Sequence, residues 1–282
     1  MIISASTSQS LASALAAELD VPLAGTEYER FPDGEFVVSI PEFDSDRAIV
    51  VCSTTTSDAH VEALQLQDAA HEAGAREVVT VLPYMGYARQ DEAFEPGQPV
   101  SARALARALG TGTDRVLTVN PHEKSVCEFF EVPCTPVDAA GCLAAPLPEL
   151  DNPVFIAPDA GATGLAETVR NAYGEGAVDH FEKTRHSSTD VELEPHETDV
   201  SDRDAVLVDD IIATGSTMAG AVSHLSDDAD RVFVTCVHPV LADTARTRLA
   251  RAGVEAVYGT DTVERAESTV SVAPVVADAL DG

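Results

Sequence analysis

The sequence predicts an α/β protein of two domains, each with a mainly parallel sheet flanked by helices. Short runs of apolar, often β-branched residues alternate with longer amphipathic stretches along the whole chain, as expected for strands and helices in turn. Most of these runs are apolar at consecutive positions, as in strands buried on both faces of a parallel sheet. The 282 residues suffice for two cores, and a proline-rich segment at 132–148 interrupts the alternation. We therefore predict domains at 1–140 and 141–282.

The individual elements follow from this alternation. In the first domain, strands are predicted at 2–5, 36–40, 48–52, 77–82 and 115–119, and helices at 9–19, 58–73 and 101–109, with a short helix after 123 that runs through 130. In the second, strands are predicted at 154–158, 178–181, 191–193, 206–208, 231–237, 254–258 and near 269, and helices up to 173, from 218, at 241–252 and from 274 to the end. The two halves thus share one βα rhythm.

The composition excludes several classes of protein. An apolar share of 45% excludes a disordered chain, and no run approaches the roughly 20 apolar residues that cross a membrane. With 48 acidic residues against 17 basic ones, the net charge of −31 repels nucleic acids and anionic lipids. The five cysteines lack CxxC spacing and the N-terminus lacks a basic region. We therefore expect a protein of the reducing cytoplasm.

The charge also predicts how stability depends on salt. Only Lys124 and Lys183 accompany 15 arginines, and abundant acid with so little lysine is typical of halophilic proteins, in which salt screens the repulsion between like charges. We expect the melting temperature to rise from dilute to molar KCl. A melting temperature that does not respond to KCl would contradict this interpretation.

The most informative segment is 206–218, where a strand, an acid pair and a hydroxyl-rich loop follow one another. Asp209 and Asp210 stand where the apolar strand is expected to end. The loop that leads into the next helix consists of Ala213, Thr214, Gly215, Ser216 and Thr217. Free N–H groups at a helix N-terminus and nearby hydroxyls bind phosphate, whereas acids beside them suit sugar hydroxyls or a hydrated Mg²⁺. A sugar phosphate satisfies both; the alternative is a capped turn with two solvated aspartates.

Two segments of the first domain suggest a nucleotide site. The loop after the strand at 77–82 carries two tyrosines, Arg89 and Gln90, at the end of the strand where open α/β sheets bind ligands. Its aromatic rings could flank a base and Arg89 could reach phosphate oxygens, although an ordinary surface loop remains an alternative. The turn Phe31–Glu35 precedes an alternating strand and, by itself, indicates a hairpin.

Further candidates for chemistry lie at other strand ends. His122 follows the strand at 115–119 and could bind a metal, although a lone histidine is more often structural. Asp159 opens a glycine-bearing turn after the strand at 154–158. Lys183 and Arg185, two apart on an extended segment, point the same way and could grip one multiply charged group.

Together these segments resemble the ribose-phosphate pyrophosphokinase family over nearly the whole chain. The motifs that carry the resemblance are Phe31-Pro-Asp-Gly-Glu35, Tyr87-Ala-Arg-Gln-Asp91, the His122 turn, Asp159-Ala-Gly161, Lys183-Thr-Arg185 and Asp209-Asp-Ile-Ile-Ala-Thr-Gly-Ser-Thr217. The resemblance implies two phosphoribosyltransferase-like domains and transfer of the diphosphoryl group of MgATP to the 1-hydroxyl of ribose 5-phosphate, releasing AMP, for nucleotide biosynthesis. It also implies an active site at the domain junction, completed by a neighbouring subunit of a homodimer or higher homo-oligomer.

The resemblance assigns a role to each motif. The ATP contacts that it implies are Phe31, Asp33, Gly34, Glu35, Arg89 and Gln90. The ribose 5-phosphate ligands that it implies are Asp209, Asp210, Ala213, Thr214, Gly215, Ser216, Thr217 and Arg185. His122 and Asp159 correspond to the Mg²⁺ positions, and Lys183 and Arg185 to the catalytic pair on a mobile flap.

Other functions fit the sequence less well. A plain phosphoribosyltransferase would share the acid pair and the phosphate loop, but it has no use for a second α/β domain or for the segment Lys183–Arg185. A non-catalytic regulatory partner would be expected to lack residues at the flap or metal positions, and all four are present. A sugar-phosphate sensor fits least.

Overall fold

The computed structural model describes residues 1–185, 191–195 and 199–281, with only the backbone for 183–185 and 191–195. The chain forms two compact units. The N-terminal unit comprises Met1–Asp138, Asp261–Glu264 and Ser271–Gly282, and the C-terminal unit comprises Ala139–Thr260 and Arg265–Val270. The end of the chain therefore belongs to the N-terminal unit, although it follows the C-terminal unit in sequence.

The N-terminal unit contains a six-stranded parallel sheet in the order β2-β1-β5-β6-β7-β8. Its strands are β1 Ile2–Ser4, β2 Leu23–Ala24, β5 Arg47–Val51, β6 Glu77–Leu82, β7 Arg115–Val119 and β8 Cys134–Val137, and β3 Glu27–Arg30 and β4 Phe36–Ser39 form a separate antiparallel hairpin. Its helices are α1 Gln9–Glu18, α2 Ser57–Glu72, α3 Ser101–Leu109 and α7 Ala273–Asp281. The inner strands are apolar at consecutive buried positions, which confirms the predicted sheet type.

The C-terminal unit contains a seven-stranded sheet in the order β11-β10-β9-β12-β13-β14-β15, parallel except for the antiparallel pair β10–β11. Its strands are β9 Val154–Ala157, β10 Ala177–Arg185, β11 Val191–Pro195, β12 Asp204–Ile211, β13 Arg231–His238, β14 Ala256–Thr260 and β15 Ser268–Val270. Its helices are α4 Thr163–Tyr173, α5 Ser216–Leu225 and α6 Ala245–Ala252. The two units thus confirm the predicted fold class.

One strand that the sequence did not predict lies inside the proline-rich segment. β8 contains Pro136 and pairs in parallel with β7. It is an edge strand, where a missing backbone N–H can face away from the sheet at little cost. Pro136, one of the prolines that predicted a domain boundary, is therefore compatible with a strand at this position.

No helix in the part of the chain that the structure describes is both long and apolar enough to span a membrane.

Candidate active site

The sheet order of the C-terminal unit creates a crevice beside its central strands. From β9 the chain passes through α4 to β10 on one side, and β12 then pairs with the other side of β9. Such a reversal of direction separates the loops at the carboxyl ends of the two strands, and ligands of open α/β sheets bind there. Asp159 lies just beyond β9, and the acid pair lies in the last residues of β12. The fold therefore brings these three carboxylates to one edge.

The acid pair is held close to its own strand. The backbone N–H of Asp210 donates to Oδ1 of Asp209 at 2.9 Å, and the N–H of Ile211 donates to Oδ1 of Asp210 at 2.7 Å. Both side chains are half-buried. Burial raises the pKa of Asp209 well above its usual value, and the charges of Asp210 and, less strongly, Asp159 raise that pKa further. The ionised site therefore favours a ligand that brings hydroxyl donors or a cation.

The loop after the acid pair, residues 213–217, leads into the start of α5 and is here called the anion cup. The helix begins at Ser216 rather than at the predicted Met218, so two hydroxyl side chains fall in its first turn. The N–H groups of that turn have no acceptor within the helix and carry the positive end of its dipole. The hydroxyls of Thr214 and Ser216 lie 3.2 Å apart. This geometry suits a phosphate group.

Gly215 gives the cup its shape. Its φ of +69° lies in the left-handed region, which glycine adopts without the steric cost of a side chain. A Cβ at this position would also lie 3.4 Å from Cβ of Ala245 on α6. The segment before α6 holds the loop from the same side, because the N–H groups of Leu241 and Ala242 donate to the carbonyls of Ile212 and Ala213 at 2.9 Å each.

The structure places the two predicted metal positions in different surroundings. Asp159 is half-buried, and its Oδ1 accepts from the N–H of Gly161 at 3.1 Å. His122 is exposed in the N-terminal unit, shortly after Asn120, whose side chain donates to Asp138 at 2.9 Å. The described residues contain no group of three or more His, Cys, Asp or Glu side chains able to hold a metal. The carboxylate of Asp159 is compatible with Mg²⁺, which commonly takes only one or two carboxylates besides substrate phosphates and water.

The predicted ATP contacts at 31–35 form the exposed turn of the hairpin β3–β4. The N–H of Phe31 donates to the carbonyl of Glu35 at 2.7 Å, and the N–H of Gly34 donates to the carbonyl of Phe31 at 2.9 Å. Oδ1 of Asp33 accepts from the N–H of Glu35 at 3.2 Å. Phe31 remains 39% exposed, so its ring is available to stack on a ligand. The hairpin indicated by the turn sequence is present, and its tip presents polar and aromatic groups to solvent.

The loop after β6 is anchored at its centre and open at its end. The N–H of Gly86 donates to Oγ1 of Thr54 at 2.9 Å. Arg89 is exposed. Gln90 is engaged within the protein, because its side chain donates to the carbonyl of Pro99 at 3.3 Å and accepts from the hydroxyl of Ser101 at 3.0 Å. Of the two predicted ATP contacts in this loop, Arg89 has an exposed side chain. The side chain of Gln90 is hydrogen-bonded to Ser101, the first residue of α3.

Gly86→Ala is expected to destabilise the N-terminal unit. The added Cβ would collide with the carbonyl oxygen of Thr54 and lie 3.1 Å from the His60 ring, and overpacking of this kind costs about 1–3 kcal/mol. Urea unfolding measures the effect. Gly164→Ala on α4 is the control, because its Cβ would meet no atom within 4 Å and alanine favours a helix. Equal midpoints for the two variants would contradict the expected clash.

Lys183 and Arg185 lie near the end of β10. Their backbones pair with Leu193 and Val191 of β11 in antiparallel register. Their side chains lie outside the described part of the structure, as do residues 186–190 between the two strands.

Comparison with known proteins identifies the family. A ribose-phosphate pyrophosphokinase of Halobacterium salinarum is 63% identical over 99% of this chain and 100% of its own length. The chain belongs to the ribose-phosphate pyrophosphokinase family. A ribose-phosphate pyrophosphokinase of Methanosarcina mazei is 46% identical over 100% of this chain and 95% of its own length. The identity with both proteins extends over both units, so the family assignment applies to the whole chain.

Domain profiles and a solved structure agree with this assignment. The profile described as the N-terminal domain of ribose phosphate pyrophosphokinase matches residues 1–112, and that of the phosphoribosyl transferase domain matches residues 148–251. The crystal structure of phosphoribosylpyrophosphate synthetase from Mycobacterium smegmatis covers 100% of this chain and 97% of its own, with a TM-score of 0.83 and 29% identity. The chain is therefore an enzyme of the ribose-phosphate pyrophosphokinase family with two phosphoribosyltransferase-type domains.

Some residues that support these candidate sites could not be predicted from the sequence. Thr54 anchors one loop, and Ala245 and Arg248 of α6 contact the anion cup. Each comes from a distant part of the sequence and stands in no local motif. The sequence motifs of this ribose-phosphate pyrophosphokinase therefore identify the loops of the candidate sites. The residues that support these loops are visible only in the tertiary structure.

Proposed function

We propose that this enzyme transfers the diphosphoryl group of MgATP to the 1-hydroxyl of ribose 5-phosphate. The products are AMP and 5-phosphoribosyl 1-diphosphate, a precursor for nucleotide biosynthesis. One observation carries the proposal: a half-buried acid pair and a hydroxyl-lined helix N-terminus follow one another at the carboxyl end of β12. The names of the relatives support it.

The two halves of the candidate site suit the two ends of the sugar phosphate. The 5-phosphate accepts hydrogen bonds from the N–H groups and hydroxyls of the loop, whose residues are Ala213, Thr214, Gly215, Ser216 and Thr217. Asp209 and Asp210 accept hydrogen bonds from the ribose hydroxyls. In this arrangement, hydrogen-bond donors of the loop face the dianionic phosphate, and the carboxylate acceptors face the neutral ribose hydroxyls. The arrangement explains why two acidic residues lie so close to a phosphate site.

The N-terminal unit supplies the ATP contacts in this proposal. Phe31 stacks on the base, and the polar groups of Asp33, Gly34, Glu35, Arg89 and Gln90 bind the rest of the nucleotide. The exposure of the hairpin turn and of Arg89 supports this role. Because an exposed hairpin can also reach another molecule, we propose a homodimer or higher homo-oligomer in which some contacts are lent between subunits.

Transfer needs positive charge where negative charge builds up. The 1-hydroxyl oxygen bonds to the β-phosphorus and releases its proton to solvent, and the bond from this phosphorus to the oxygen that bridges to the α-phosphate breaks, so that AMP leaves. Negative charge increases on the non-bridging and leaving oxygens during this step, and Lys183 and Arg185 offset it. Asp159 and His122 would hold Mg²⁺, which when bound neutralises the phosphate oxygens. No covalent intermediate with the protein is required. We place the reaction in the cytoplasm at high salt, as the composition suggests.

A single assay tests the proposed function. ATP, ribose 5-phosphate and Mg²⁺ are incubated with the protein at high KCl without any nucleobase, and AMP is measured. We expect AMP to form only when ribose 5-phosphate is present. A phosphoribosyltransferase would release no AMP under these conditions, and a regulatory partner would show no turnover, so absence of AMP would reject the proposal.

A further inference from the structure

The anion cup has a cationic support on α6. Nη1 of Arg248 donates to the carbonyl oxygen of Thr214 and to Oγ of Ser216, at 2.6 Å in both cases. These acceptors lie on either side of Gly215, the residue immediately before α5. One guanidinium nitrogen therefore bridges Thr214 and Ser216, the residues before and after Gly215.

The direction of these hydrogen bonds has a consequence for ligand binding. A guanidinium can only donate, so Oγ of Ser216 must accept from Arg248. The hydroxyl hydrogen of Ser216 is then available to Thr214, 3.2 Å away, or to a bound anion. The bond from Arg248 also occupies the carbonyl of Thr214, an acceptor that would otherwise repel a phosphate oxygen. Both effects make the loop a better donor surface, and hydrogen bonds in such a chain strengthen one another.

Arg248 forms no ion pair with a carboxylate of the described residues. It lines an open cavity of about 550 Å³ on the surface of α5 and α6, whose other lining residues are Ala219, Gly220, Ser223, Thr244, Thr247, Arg251 and Ala252. No acidic residue is among these lining residues, although the chain has 48 acidic residues. By contrast, Arg246 on the same helix is neutralised by Glu267, with contacts of 2.6 and 2.8 Å.

We propose that Arg248 is a positioning residue for the 5-phosphate of the sugar substrate. It acts through Ser216 and Thr214, fixing their donor and acceptor directions. The proposal rests on the proposed function, because it assigns the cup to ribose 5-phosphate. Arg248 lies outside the loop and need not contact the substrate, yet it determines the affinity of the loop for the 5-phosphate.

Arg248→Gln is the test variant and Arg246→Gln is the matched control. Calorimetry at molar KCl measures the affinity for ribose 5-phosphate, for ribose and for MgATP. We expect Arg248→Gln to weaken ribose 5-phosphate binding roughly 10-fold or more, and to leave the affinities for ribose and MgATP unchanged. Because molar salt screens long-range attraction, a loss that persists there comes from short-range contacts, and the double-mutant cycle below assigns it to the orientation of the loop. Arg246→Gln is expected to bind all three like the wild type.

A double-mutant cycle separates positioning from a general structural effect. In the Ser216→Ala background, Arg248→Gln should cost much less affinity than in the wild type, because the hydroxyl that it orients is already absent. Arg248→Lys should recover part of the affinity, since an ammonium can still donate. Fully additive losses, or equal losses for ribose 5-phosphate and MgATP, would overturn the proposal, as would wild-type affinity in Arg248→Gln. If the wild type itself bound no ribose 5-phosphate, the proposed function would fail instead.

Discussion

Lys183→Ala is expected to lower kcat by roughly 100-fold or more while ribose 5-phosphate binds nearly as well as in the wild type. The reason is that charge develops on the phosphoryl oxygens only during transfer, so a cation aimed at them acts mainly in the transition state. Lys183 is one of only two lysines in the chain, and it stands two residues from Arg185 on β10. Steady-state AMP formation gives kcat, and calorimetry gives the sugar-phosphate affinity.

Lys124 offers a control for the loss of a lysine charge. It is exposed at the start of the 3-10 turn Lys124–Phe129 and has no role in the proposed reaction. Lys124→Ala should keep a turnover close to that of the wild type. If Lys183→Ala were equally active, Lys183 would have no part in the mechanism. A loss of ribose 5-phosphate affinity as large as the loss of kcat would instead make it a binding residue.

Asp209→Asn is expected to have opposite effects on binding and on stability. Binding of ribose 5-phosphate should weaken roughly 10-fold or more, because a charged acceptor for the ribose hydroxyls is lost. The ligand-free protein should become more stable at neutral pH, because asparagine removes a half-buried charge crowded by Asp210. Calorimetry and thermal unfolding measure the two effects on the same preparation.

The pH dependence of the stability effect follows from the direction of the pKa shift. The pKa of Asp209 is raised on folding, so the folded protein holds this proton more tightly than the unfolded chain does. Ionisation therefore costs stability as the pH rises above the unfolded pKa of about 3.9, and the full cost is reached above the folded pKa. The advantage of Asp209→Asn should be largest at neutral pH and vanish towards pH 4. An advantage independent of pH would contradict this assignment.

The control for this variant is an exposed aspartate on the same unit that lies outside the candidate site, in the acidic turn at 227–230. Asp228 is exposed in the turn after α5, and Asp228→Asn should change neither the melting temperature nor sugar-phosphate affinity appreciably. Unchanged ribose 5-phosphate affinity in Asp209→Asn would remove the acid pair from the proposed site, whatever its effect on stability.

Much of the fold could be predicted because parallel strands leave a simple trace in sequence. Strands buried on both faces are apolar at most positions, and β6 and β7 have the bounds expected from their largely apolar runs. β8 could not be predicted in this way, since only its position at the sheet edge makes Pro136 tolerable. The packing of α7 against α1 also has no local signal, because an apolar helix face does not indicate which surface it will cover.

The candidate site shows the same division between local and long-range information. Asp209 and the loop after it are recognisable because strand, acids, glycine and hydroxyls are contiguous in sequence. Arg248 lies 34 residues after Thr214, and nothing in its own neighbourhood marks it. Gln90 illustrates the converse: its motif suggests a ligand contact, yet its amide also bonds to Pro99 and Ser101. Such double use is visible only when the loop is folded.

The most direct measurement follows both terminal phosphorus atoms of ATP. The enzyme is given ribose 5-phosphate, Mg²⁺ and ATP labelled at its β and γ phosphorus atoms, and the products are separated. Transfer of an intact diphosphoryl group predicts that both labels appear together on the sugar product and that the AMP carries none. Labelled ADP beside a sugar product with a single labelled phosphorus atom would contradict the account.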